Sequence, residues 1–82
     1  MSLREELLDE IIAGKIGDNG IITRQEIIKH FSNYPETYTG VFLSNSEMET
    51  GQHSPTYEKF TERVGRGIYR IHQDAINQRN NE

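Results

Sequence analysis

Cysteine is missing from this 82-residue chain. That excludes a disulfide framework, a thiolate nucleophile and a cysteine-bound zinc, so compaction has to come from packing or from a partner. Long apolar runs are missing too. Nothing approaches the roughly 20 residues of a membrane span, and the N-terminus lacks the basic region and apolar stretch of a signal peptide. The chain is therefore expected in the cytoplasm, off the membrane. Basic charge is also in short supply: nine Lys and Arg stand against thirteen Asp and Glu, for a net charge of −4. A dedicated nucleic-acid binder is usually basic overall, because neutralising phosphates supplies most of its affinity.

The charge is unevenly placed. From Met1 to Gly20, Arg4 and Lys15 face Glu5, Glu6, Asp9, Glu10 and Asp18, a net of −3. From Ile21 to Thr50 the net is −2, and between Ile28 and Gln52 the only cation is Lys29. From Gly51 to His72 the sign reverses: Lys59, Arg63, Arg66 and Arg70 outnumber Glu58 and Glu62, a net of +2. One basic segment sits on an acidic body. Apolar residues make up 33% of the chain, enough for one thin core in a single domain with a radius of gyration of roughly 12 Å.

Along the chain, Ser2 is placed to cap a helix that carries Glu5 and Glu6 in its first turn, where exposed amides favour acids. Leu3, Leu7, Leu8, Ile11 and Ile12 fall on one face of it. The helix should end near Gly14, with Gly17 and Asp18-Asn19-Gly20 following as breakers. After a short extended Ile21-Ile22, Thr23-Arg24-Gln25-Glu26 matches a capping box. A second helix is expected from about Arg24 to Phe31, burying Ile27, Ile28 and Phe31. Pro35 then opens a third helix over Glu36 to about Glu47, with Tyr38 and Phe42 assigned to its inner face, Val41 and Leu43 on the flanks, and the small polar set Thr37, Gly40, Ser44 and Glu47 on the opposite face.

Met48 to Pro55 reads as loop. Tyr57, Phe60 and Val64 have helical spacing while Thr61 to Val64 reads as strand, so the next element has an ambiguous start. Arg63-Val64-Gly65-Arg66-Gly67-Ile68-Tyr69-Arg70-Ile71 is the most informative stretch: two glycines bracket an arginine between β-prone runs, the pattern of a tight hairpin with cations on its tip and flanks. Gln73 onward is expected to be a polar, frayed tail. Tyr69 and Ile71 join the expected core.

The expected architecture is α+β: three helices followed by a two-stranded hairpin over residues 1–72, with 73–82 as the tail. From Phe60, through Arg63-Val64-Gly65-Arg66-Gly67, to Tyr69-Arg70-Ile71, the chain resembles the wing of winged helix-turn-helix domains of prokaryotic DNA proteins, particularly small modules associated with restriction enzymes and transcription machinery. The resemblance covers about Leu3 to His72. It implies that the helix at Glu36–Glu47 is a recognition helix for a major groove, and that the wing carries Arg66 to phosphate or the minor groove. The candidate nucleic-acid-binding residues are then Thr37, Gly40, Ser44, Asn45, Arg63, Arg66 and Arg70, with double-stranded DNA as partner and a two-fold homodimer as working form.

Each residue also has a plainer reading. Arg66 is either a solvated turn residue or a contact for an anion; Arg63 and Arg70 either meet phosphate or pair with Glu58 or Glu62. Asn45 either reaches an adenine edge or caps its helix. The Thr37, Gly40, Ser44 face would lie against phosphate, bases, another protein or solvent. Glu5, Glu6, Asp9 and Glu10 read as a solvated helix surface. His30, His53 and His72 are far apart in sequence and lack the helical pairing of a zinc site, and no glycine-rich loop follows a strand, so neither an enzyme nor a cofactor is expected. The competing function is a protein-interaction module of the same fold, an inhibitor or assembly factor using the acidic face of the first helix.

Overall fold

A computed structural model describes all residues, 1–82. Its elements are α1 (Leu3–Ile12), β1 (Ile21–Thr23), α2 (Arg24–His30), α3 (Glu36–Asn45), β2 (Thr61–Gly65), β3 (Ile68–Ile71) and α4 (Gln73–Asn80). The class is α+β, with four helices and a three-stranded antiparallel sheet in the order β1-β3-β2, and the radius of gyration is 11.6 Å. No helix is long and apolar enough to cross a membrane.

Both helix starts that carry capping signals form as the local chemistry requires. The Ser2 hydroxyl accepts from the Glu5 amide while the Glu5 carboxylate accepts from the Ser2 amide, and Thr23 and Glu26 repeat the arrangement at α2. Leu3, Leu7 and Leu8 of α1, Ile27 and Phe31 at α2, Leu43 of α3, and Phe60, Tyr69 and Ile71 are buried in one core. Ile16, in the glycine-rich segment read as breakers, joins them.

The sheet has one strand more than the expected two. Ile22, fully buried, pairs with Tyr69, and the Ile71 amide donates to the Gly20 carbonyl at 2.8 Å, so β3 is hydrogen-bonded along both edges. Within the hairpin, Thr61 pairs with Ile71 and Arg63 with Tyr69, and the register slips between Arg63 and Gly65, leaving Val64 bulged and exposed. Only one of the two glycines has a conformation that requires glycine: Gly67 has φ +68°, whereas Gly65 is ordinary strand. Gly67→Ala should therefore cost about 1–2 kcal/mol, read as a lower midpoint in a urea titration. Gly65→Ala, whose new Cβ would meet only the Ile68 side chain, its Cδ1 nearest at 3.4 Å, should leave the midpoint nearly unchanged.

The inner face of α3 is turned from the one expected. Thr39 and Leu43 are buried, while Tyr38 is 44% exposed and Phe42 only partly covered. The Thr39 hydroxyl donates to the Pro35 carbonyl at 3.4 Å, which lets a small polar side chain face the core. The larger rings stack along the flank instead, Tyr34 to Tyr38 to Phe42 to Phe60, with centroids 5.7, 6.0 and 6.1 Å apart. Helix α3 stops at Asn45 because the Ser46 carbonyl accepts from both the Phe60 and Thr61 amides, at 2.9 and 3.0 Å. Thr61 Oγ1 adds a buried bond to the Leu43 carbonyl at 2.8 Å. These bonds settle the ambiguous start of the hairpin as strand, from Thr61. Ile12, assigned to the core by spacing, is 38% exposed.

The segment expected to fray is the helix α4. His72 Nδ1 accepts from the Asp74 amide at its start, Ala75 is fully buried, and Ile76 packs on the core. Arg79 grips α1 as a fork, Nε to Asp9 Oδ1 at 2.8 Å and Nη2 to Asp9 Oδ2 at 3.0 Å, with Nη1 3.2 Å from Glu5. The acidic run on α1 is thus largely engaged within the fold: Tyr34 donates to Glu6, and His30 meets Glu10 at 2.8 Å.

Hydrogen bonds from Ser2, assisted by Arg79, hold the Glu5 carboxyl below its ordinary value, and the Arg79 fork does the same for Asp9. Carboxyls depressed in the folded state contribute stability above their unfolded values and lose it as pH falls through the folded ones. Thermal melts should therefore show stability declining from about pH 4.5 downward. Arg79→Gln should melt lower than the parent at neutral pH, and the two should converge in acid. Parallel curves for the two proteins would contradict the assignment.

Candidate nucleic-acid interface

The start of α2, the exposed side of α3 and the β2–β3 turn enclose an open cleft of about 750 Å³. Three arginines line it: Arg24 from α2, Arg63 from β2 and Arg66 from the turn. All three are exposed, and none is in an ion pair; the acid in the cleft is Glu47. Two hydrogen bonds fix the cleft's shape. The Arg24 amide donates to the Gly67 carbonyl at 2.9 Å, tying the hairpin tip to the first residue of α2. The Arg24 guanidinium, through Nε, donates to the Gly40 carbonyl at 2.8 Å.

Gly40 has a defined job here. A Cβ at this position would lie 2.8 Å from Arg24 Nη2, so the bare backbone of α3 is what admits the guanidinium. Its small size serves an internal contact, where the sequence suggested close approach by an outside surface. Arg24 was legible only as part of a capping box, and its second role went unseen because nothing in the sequence pairs it with Gly40, sixteen residues on.

The other candidate residues divide. Ser44 lines the cleft, its hydroxyl donating to the Val41 carbonyl at 3.0 Å. Arg63 folds back, Nε to the Gly65 carbonyl at 3.2 Å. Thr37 is exposed in the first turn of α3 but does not line the cleft. Asn45 lines a different pocket, beside Phe42 and Phe60, and its carbonyl accepts from Lys59 Nζ at 2.8 Å. Arg70 lies on the opposite face of the sheet. It is the cross-strand partner of Glu62, one residue out of phase with the Arg63–Tyr69 pair, and side chains alternate faces along a strand. Arg70 and Glu62 form no ion pair, and neither does Arg63 with Glu58 or Glu62.

What the cleft can do is electrostatic. Three guanidinium groups within one concavity present a fork of donors suited to phosphate oxygens, with Gln25 and Ser44 as uncharged hydrogen-bonding groups between them. Comparison with protein-family models, with curated proteins and with solved structures finds no match to the chain.

Proposed function

We propose that the chain is a winged helix-turn-helix module that binds duplex DNA, with α2 and α3 as the helix-turn-helix and β2–β3 as the wing. The observation that carries the reading is the convergence of Arg24, Arg63 and Arg66, without carboxylate partners, on a cleft beside α3. The element order and the β1-β3-β2 sheet support it, since they set a hairpin next to the second of two consecutive helices. Engagement of the α1 carboxylates by Arg79, Tyr34 and His30 makes that face a poorer candidate for partner binding. Gln25 and Ser44, which line the cleft, would be the groups that read base edges.

Contacts from three arginines to about two to three phosphates give a log–log salt slope of roughly −2 to −3, or a roughly 15- to 60-fold loss of affinity between about 50 and 200 mM salt. Arg66→Ala should lower that slope by about one for all sequences alike, whereas Arg70→Ala, on the other face of the sheet, should leave it much closer to the parent value. Fluorescence anisotropy with random and selected duplexes across a salt series measures both. Absence of salt-sensitive binding, or equal effects of the two variants, would reject the reading.

A further inference from the structure

A second pocket, of about 300 Å³, opens between the start of α1, the far flank of α3 and the loop leading into β2. It shares no lining residue with the arginine cleft. Arg4 lines it and is only 7% exposed. The guanidinium carbon is 4.3 Å from the centre of the Tyr57 ring and 5.4 Å from that of Phe60. Its Nε is sealed from solvent with no hydrogen-bond partner, and no carboxylate forms an ion pair with it.

Such an arrangement is costly. A guanidinium has five N–H donors, accepts nothing and stays charged, and a buried charge is normally paired. Two ring faces offset part of the cost but leave Nε unmet. Nearby carboxylates do not supply the partner: Glu5 is held by Ser2 and Arg79, and Glu58 stands in the lining without reaching Arg4. Lys59 adds a second cation, and Tyr38, Phe42 and Tyr57 make the rest of the wall largely aromatic.

One buried fork, one ammonium and flat apolar walls in a volume at the small end of ligand sites, roughly 300–1,000 Å³, describe a compact ligand with a single negative charge and a ring. We propose that this pocket binds a small aromatic monocarboxylic acid, its carboxylate on Arg4 and its ring among Tyr38, Phe42 and Tyr57. A polyphosphate would leave most of its charge against apolar walls and next to Glu58. The inference stands independently of the DNA reading.

The test is a titration of the isotope-labelled full chain with phenylacetate, followed by amide and arginine Nε–H shifts, with phenylacetamide as the neutral isostere. Saturable shifts at Arg4, Phe42 and Tyr57 to Phe60 are expected, with binding at least about tenfold weaker for phenylacetamide. Arg4→Met should weaken phenylacetate by a similar factor and should fold, since it replaces an unpaired buried cation by an apolar chain of similar length. Tyr57→Leu, at a position 55% exposed, weakens binding several-fold and covers the case of a misfolded Arg4 variant. Arg66→Ala leaves it unchanged. No saturable shift below about 20 mM, equal binding of the amide, or undiminished binding by Arg4→Met would overturn the proposal.

Discussion

Phe60→Ala should lower the melting temperature by at least about 12 °C, the largest effect expected of any single truncation in this chain. Phe60 is 1% exposed and meets Phe42 on one side and Arg4 on another. Its amide and carbonyl also stitch Ser46 to His72, at 2.9 Å each, so the site has little freedom to collapse around a void. Phe→Ala in a core costs about 3–5 kcal/mol, and a domain of this size loses about 4–8 °C per kcal/mol. Total stability at this length is only about 4–12 kcal/mol. Circular dichroism melts would check it; a fall of a few degrees would mean that the aromatic ladder, and not the core, carries the ring.

Ala75→Asp is the second. Ala75 is fully buried in α4, and an aspartate there would place an unpaired charge in the core, at a cost of about 3–5 kcal/mol, or else force α4 away. Either result appears as a lower melting temperature, and the second also as rapid proteolysis after His72. A variant that melts and resists protease like the parent would show that α4 does not belong to the cooperative unit.

That prediction sits where the sequence was hardest to read. Gln73–Asn80 has few apolar residues, so periodicity returns nothing. What holds it is Ala75, too small to register in a hydrophobic pattern, and an arginine whose partners Glu5 and Asp9 lie seventy or more residues earlier. The helix starts at Ser2 and Thr23, the hairpin turn at Gly67 and most core leucines and isoleucines were legible, because caps, turns and apolar spacing are local. The short extended Ile21-Ile22 was legible as well, but its place in the sheet was not, since its partner β3 lies far along the chain. The same division runs through the site. Arg63, Arg66, Gly40 and Ser44, singled out from local pattern, line the cleft, whereas the place of Arg24 in it, of Asn45 in another pocket and of Arg70 on the far face of the sheet depend on helix rotation and sheet phase.

The bond from the Arg24 amide to the Gly67 carbonyl bears on how tightly so acidic a chain would hold an anion under the proposed reading. A hairpin tip joined to its sheet alone would have to be immobilised each time a ligand arrived, and that lost freedom would be subtracted from a small electrostatic gain. Here the tip is anchored while the protein folds. The backbone of the cleft is preorganised, and an anion binding there would have only the arginine side chains left to order.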